Sequence, residues 1–438
     1  MKGEVSLKSL AASVPAGLSL PPEHRERQEV KKMGRLPLEG IRVADFSWII
    51  NGPQIAQWLA TMGAEVIKVE SQVYIDLGRT NPAGMADRVA GLNRSGFYHA
   101  LNYGKKAINL NLGHPKGREL AHEIVRRSDF VLECFPAPAA EKLGLTYDQM
   151  KKVKSDIIMI SVSLLGKTGL EPSKWVGWGP MACCFVGMFD AQGYPGGPPR
   201  QTGGTWPDYA IASSVVFHAL AALRHRNRTG EGQWIDASMG ETVIGQMHEW
   251  FTDYFMNGRD RRQWGNRDDV MAPHNTYRCK GDDNWIAIAV ANQSEWDALC
   301  GAMGNPQWTR AAKFADQVSR WKNRDELDTH LAAWTRDHDH LELASMLQRA
   351  GVAAGPVLDS AELHHDPHLW EWGYWWKMDH HEVGERILPG MPVKLSNVPK
   401  LNYSYPPDLG QHNHEVFGGL LGLSDAEIKL LIEEKVIY

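Results

Sequence analysis

The sequence predicts an α/β protein in which a doubly wound, Rossmann-like large domain is accompanied by a smaller α+β domain. Three observations predict it. Short β-rich runs alternate with helical ones from Leu36 onward, the runs are short enough to be buried strands, and near residue 230 the alternation gives way to a segment with its own signals. Strands that alternate with helices of this length form mostly parallel sheets, because each parallel neighbour needs a crossover.

"IRVADFS" (41–47) reads as a buried strand and "PQIAQWLATMGA" (53–64), apolar at helical spacing, as the helix after it. "EVIKVE" (65–70) and "KAINLNL" (106–112) are the next strands, "GRELAHEIVRRS" (117–128) a helix and "FVLECF" (130–135) a strand. "YDQMKKVK" (147–154) is helical and "IIMISVSLL" (157–165) extended. Ala210 to Arg226 forms a helix rich in Ala, Val, Leu and Ile and expected to be mostly buried. It runs to the turn "RTGEGQ" (228–233) and the strand "WIDASM" (234–239). Beyond a polar stretch (257–269), "NWIAIAVA" (284–291) alternates like a strand and residues 323–351 read as helices. Ser424 caps a final helix, with Glu427 completing a capping box. The expected division is an N-terminal extension (1–35), the large domain (36–240), the small domain with its linkers (241–355), and a C-terminal segment (356–438) that returns to the large domain.

Composition narrows the function. At 438 residues, 43% hydrophobic and 23% charged, the chain can bury a sizeable core. A net charge of −5 offers no basic field for nucleic acid or acidic lipid, so any anionic ligand must be held by local groups. Cys134, Cys183, Cys184, Cys279 and Cys300 are odd in number and contain no C-x-x-C pair, which points to a reducing, cytoplasmic setting. No apolar run reaches the length of about 18 residues expected of a membrane span, and the first 34 residues carry no signal-peptide core.

Several motifs are weak. "LLGKTG" (164–169) is half a phosphate loop, because Ser161 stands where the full signature needs Gly. No G-x-G-x-x-G follows the first strand. The histidine clusters "DHDH" (337–340), "HHDPH" (364–368) and "DHH" (379–381) lie in polar, helix-flanking contexts, so surface or structural roles are expected and no metal site is assigned. No G-x-S-x-G elbow is present.

Asp208, in "GGTWPDYAIASS", stands at the mouth of the apolar helix. It reads either as an N-cap or as a carboxylate made available to react by the Gly203-Gly204 turn. Trp48, Trp175, Trp178 and Trp206 either fill the core or supply flat apolar contact area for a bulky acyl group.

Three segments, "LEGIRVADFS…GP…LATMGAEVIKVE", "LNYGKKAINLNL" and "GPPRQTGGTWPDYAIASSVVFHALAALRHRNRTGEGQWIDASM", resemble the class III coenzyme A transferases of the CaiB/BaiF type. The likeness covers nearly all the chain after residue 35. It implies that Asp208 is a catalytic nucleophile that carries coenzyme A as a thioester, with acyl-CoA as substrate, no permanently bound cofactor and no metal. It also implies coenzyme A contacts at Ile49, Ile50, Leu110, Cys134, Lys142 and Met239. At Ile50 formyl-CoA transferase has a polar side chain, and at Cys134 an Asn is usual. A substrate pocket from Trp48, Trp206 and Arg200 would suit an aromatic or dicarboxylic acid, benzylsuccinate-like, with succinyl-CoA as donor. The family further implies an interlocked dimer, either a homodimer or a heterodimer with a related subunit. Two alternatives stay open. One is a non-catalytic or partner-dependent subunit. The other is an α-methylacyl-CoA racemase, although Trp178 stands where that enzyme's histidine would be.

Overall fold

The computed structural model describes residues 35–438 except 202, 204, 399 and 400, without the side chains of 172 and 173. The N-terminal extension up to residue 34 and Gly204 therefore lie outside the described residues. Two compact units are present. One holds the described residues up to Asp190 together with Arg200–Arg261 and Trp372–Tyr438; the other holds Ala191–Pro199 and Arg262–Glu371.

The first unit is built on six parallel strands: β1 (Arg42–Asp45), β2 (Glu65–Glu70), β3 (Lys106–Asn109), β4 (Phe130–Glu133), β5 (Ile158–Ser163) and β6 (Trp234–Ser238), in the order β3-β2-β1-β4-β5-β6. Val43 pairs with Val66 on one side and Phe130 on the other. Burial on both faces explains why the strands read as continuous apolar runs rather than alternating ones. Val43, Phe130, Leu132, Ile158 and Ile160 pack on one face with Ile55 and Leu59 of the helix Asn51–Thr61 and Val215 of the helix Trp206–Thr229. Ala44, Val131 and Met159 pack on the other with Leu120 and Ile124 of the helix Pro115–Arg126 and Leu431 of the helix Asp425–Glu433. Beyond the end of edge strand β3, Leu110 bridges antiparallel to Ile437, so the chain terminus pairs with the sheet's edge there. Ser424 and Glu427 form the expected capping box.

The Trp206–Thr229 helix departs from expectation. Its buried residues recur at helical spacing, but Phe217 on the opposite face is 69% exposed and Tyr209 is exposed as well. A helix laid on a sheet buries only one stripe, and here the outer face carries Ser213, Ser214, His218, Arg224 and His225 alongside Tyr209 and Phe217. The same unit carries the antiparallel hairpin of β10 (Trp375–His380) and β11 (Gly384–Pro389).

In the second unit β7 (His274–Arg278), β8 (Trp285–Ala289) and β9 (Ala353–Val357) form an antiparallel sheet. Ile286 and Ile288 of β8 pack with Leu327 and Leu331 of the helix Arg324–Thr335 and with Leu343 and Leu347 of the helix His340–Arg349. This is the smaller α+β layer that the residues after 284 predict.

Candidate active site

In an open parallel sheet, ligands bind beyond the carboxyl ends of the strands where the strand order reverses. Here that point lies between β1 and β4, and the chain crosses it: the Trp48 N–H donates to Cys134 Sγ at 3.1 Å, and the Phe46 N–H donates to the Leu132 carbonyl at 2.8 Å.

The turn after β1 is clamped by buried ion pairs. Lys105 Nζ lies 3.1 Å from Asp45 Oδ2 and donates to the Pro53 carbonyl at 2.9 Å. Lys68 Nζ lies 3.2 Å from Asp76 Oδ2 and donates to the Ser47 carbonyl at 2.9 Å. Burial disfavours the Lys68 charge, but Asp76, Asp45 and Glu70 around it hold the ammonium above the usual lysine range. Asp76 Oδ1 accepts the Ile49 N–H at 3.1 Å and the Gly78 N–H at 2.8 Å. Between these clamps Ile49 is driven to φ +66°, a left-handed conformation that a β-branched residue rarely takes. Strain of about 1–3 kcal/mol at such a position persists only where the surroundings over-determine it.

The turn delivers Asn51, the first residue of its helix, to Asp208. Asn51 Nδ2 donates to Asp208 Oδ1 at 3.0 Å and lies 3.6 Å from Met239 Sδ. Its carbonyl Oδ1 accepts the Gly52 N–H at 2.7 Å, which fixes which end of the amide faces Asp208. Gly52 is required here, since a Cβ on it would fall 2.1 Å from Ser47 Cβ.

Asp208 is not the N-cap. Thr205 holds that place and no side chain caps the helix; Asp208 sits in the first turn, 5% exposed. Its Oδ2 is buried without a hydrogen-bond partner among the described residues. Gly179 lies against that oxygen: a Cβ on Gly179 would be 2.3 Å away. Burial pushes the Asp208 carboxyl up to about 6, opposed by the Asn51 amide and by the backbone N–H groups of Asp208 and Gly179, although Oδ2 completes no hydrogen bond with either backbone group. A buried carboxylate with one oxygen held and the other unengaged is suited to nucleophilic attack more than to structural pairing.

The remaining expected contacts divide. Met239, 3% exposed, joins Asn51 and Asp208, and Ile50, 4% exposed, stands at the N-cap position of the Asn51–Thr61 helix without a side-chain cap. Trp48 stacks edge-on against Phe135 with centroids 5.8 Å apart. The Cys134 thiol is enclosed although the residue is part-exposed, and burial pushes it up to about 12, so it is a neutral acceptor rather than a reactive thiolate. Leu110 is fully buried in the core and presents no surface to a ligand. Trp206 opens the helix at 36% exposure. Arg200 and Lys142 are exposed, and no carboxylate among the described residues pairs with Arg200. Asn51 and Gly179 are site residues that no motif in the sequence singles out. The available signals were an Asn-Gly-Pro entering a helix straight after a strand, and a Gly-Pro entering another.

The phosphate-loop fragment is a structural turn. Lys167 Nζ pairs with Glu133, and the backbone N–H groups of Lys167 and Thr168 donate to Asp236. His380, His381 and Asp408 converge, with potential ligand atoms within 4.8 Å of one another. However, His380 Nδ1 accepts the Glu382 N–H at 3.2 Å. The neutral ring therefore keeps its proton on Nε2, the atom facing Asp408 Oδ1 at 3.5 Å, and offers no lone pair there. Among the described residues no helix is long and apolar enough to cross a membrane.

Comparison with known proteins finds matches over most of the chain. The family described as CoA-transferase family III matches residues 38–413. A succinyl-CoA:D-citramalate CoA-transferase of Chloroflexus aurantiacus is 32% identical over 401 residues, covering 92% of this chain and 98% of that protein. The beta subunit of a succinyl-CoA:L-malate CoA-transferase from the same organism is 31% identical, covering 92% and 98%. The crystal structure of a CaiB/BaiF family protein from Brucella suis superposes with a TM-score of 0.80 at 29% identity, covering 88% of this chain and all of that one.

Proposed function

Because this chain belongs to CoA-transferase family III, we propose that it moves coenzyme A from succinyl-CoA to a dicarboxylic acid through a thioester on Asp208. The observation that carries the reading is the buried Asp208 carboxylate, one oxygen held by Asn51 and the other without a hydrogen-bond partner among the described residues.

An Asp208 oxygen attacks the thioester carbon of the donor. The carbon–sulfur bond breaks, coenzyme A leaves as thiolate with the electron pair, and a mixed anhydride remains. The thiolate attacks Cγ of Asp208, and the bond from Cγ to the bridging oxygen breaks. The donor acid leaves as carboxylate, and coenzyme A is held as an aspartyl thioester. An acceptor carboxylate reverses both steps and departs as its own thioester. Division into such steps replaces one difficult exchange with easier ones. Both intermediates are open to hydrolysis, so the burial of Asp208 serves the chemistry by excluding water. Ile49, Ile50 and Met239 are the proposed coenzyme A contacts nearest the carboxylate, with Lys142 for the phosphates.

Succinyl-CoA as donor is supported by the Chloroflexus relatives, whose named acids, citramalate and malate, are both dicarboxylates. Arg200 is the group proposed to pair with a second carboxylate. An aromatic acid is the second reading, favoured by the exposed Trp206 next to the helix mouth. The beta-subunit relative supports dependence on a related partner chain.

The test is to incubate the purified protein with succinyl-CoA and a panel of four- and five-carbon dicarboxylates and aromatic acids, following new acyl-CoA by mass spectrometry. Transfer to dicarboxylates is expected. Formate or oxalate as the best acceptor would overturn the substrate reading, and activity only after addition of a related subunit would establish the partner-dependent one.

A further inference from the structure

We propose that Asn51 is the oxyanion donor of the reaction, its side-chain amide serving the Asp208 carboxylate at rest and the Cγ oxygen of the tetrahedral intermediates during transfer. The inference rests on Asp208 being the nucleophile and goes beyond it by naming the group that stabilises the charge.

When thiolate attacks Cγ of the anhydride, a new carbon–sulfur bond forms and the carbonyl electron pair moves onto Oδ1. The intermediate collapses when that pair returns, the bond from Cγ to the bridging oxygen breaks and the acid leaves. Charge therefore develops on the oxygen that Asn51 Nδ2 already meets at 3.0 Å. A donor stabilises a transition state most when it is aligned beforehand and needs no reorganisation. Asn51 is so aligned. Its carbonyl is tied to the Gly52 N–H, and Met239 Sδ lies within 3.6 Å of its Nδ2. The strained Ile49 and the Asp76 carboxylate that accepts its N–H fix the turn from the other side. Among the described residues Asp208 pairs with no cation, and Asn51 donates a side-chain hydrogen bond to its Oδ1. The resemblance places a polar side chain one residue earlier, at Ile50, but here Ile50 is buried and the amide comes from Asn51.

The test uses the exchange of isotopically labelled succinate into succinyl-CoA, which requires no other acceptor, measured against pH for the wild type, Asn51→Ala, Asn51→Asp and Asp208→Asn. Asn51→Ala is expected to slow exchange about 10²–10³-fold, the loss typical of one oxyanion donor. The acid limb of the profile should move up from about 6, because the carboxylate loses the donor that favours its charged form. The isosteric Asn51→Asp should move the limb further up, since two adjacent carboxyls resist joint ionisation. It also provides the comparison if the alanine variant does not fold. The carbonyl stretch of the trapped aspartyl thioester should rise in frequency in Asn51→Ala, a change that a merely structural role would not produce. An unmoved acid limb with an unmoved rate or carbonyl stretch in the Asn51 variants, while Asp208→Asn is inactive, would overturn the role of Asn51 alone. Exchange surviving in Asp208→Asn would overturn the nucleophile assignment, and the present inference with it.

Discussion

A Cβ placed on Gly179 would fall 2.3 Å from Asp208 Oδ2, closer than any real contact of that kind. Gly179 thus leaves the unpartnered oxygen its free face. Gly179→Ala must push the carboxylate or the Gly179–Phe185 helix aside. Misplacement of a reacting group by about 1 Å costs on the order of 10²-fold in rate. Steady-state kinetics should show a loss of kcat on that scale with coenzyme A affinity kept; unchanged kcat would mean that this approach is unimportant.

Asp208→Asn separates stability from chemistry. A carboxyl whose pKa is higher folded than unfolded takes up a proton on folding between the two values, so its contribution to stability is fullest below about 4 and falls as pH rises through about 6. The rise from 3.8 to about 6 corresponds to at most ~3 kcal/mol of destabilisation at neutral pH. Asn is neutral and can still accept from Asn51. Urea unfolding should therefore show the variant more stable than wild type by about 1–3 kcal/mol at pH 7.5, with the gain vanishing near pH 4, while transfer falls by orders of magnitude. A variant less stable at pH 7.5 would contradict the burial argument.

The same carboxyl should shape the rate profile. Attack needs the ionised form, so kcat/KM should decline as pH falls through about 6, well above the range of an ordinary aspartate. A profile flat down to pH 4.5 would count against it.

Asp76→Ala removes the partner of the buried Lys68 and the acceptor of the Ile49 N–H together. Breaking a buried pair from one side costs about 3–5 kcal/mol. Equilibrium unfolding should register a loss of that size, with the turn that carries Asn51 loosened and kcat reduced as well. A loss under about 1 kcal/mol would show that Asp45 and Glu70 suffice to compensate Lys68.

Phe217 at 69% exposure, Phe255 at 79% and Met256 at 77% are apolar side chains that the interlocked dimer expected from the family resemblance would be able to cover. Contiguous exposed apolar area is a common feature of subunit interfaces. Sedimentation velocity should find a dimer that persists on dilution to nanomolar concentration, and Phe217→Glu should weaken it. A stable wild-type monomer would exclude the interlocked assembly.

The amino-acid sequence by itself determined the alternation of β1–β6 with helices, the small α+β layer, and the terminal helix capped by Ser424 and Glu427. These features depend on periodicity and turn chemistry within a few residues. It also singled out Asp208, but left open whether the residue caps the helix, because that depends on a helix boundary uncertain by a few residues. Only the tertiary structure placed the start at Thr205 and put Asp208 inside the first turn. Asn51 and Asp208 lie 157 residues apart and meet because their two helices pack on the same face of the sheet, next to the reversal point of the strand order. No local pattern encodes such a meeting. Leu110 shows the converse, since an apolar residue in a recognisable motif reads equally as a ligand contact or as core until its neighbours are known, and its burial places it in the core.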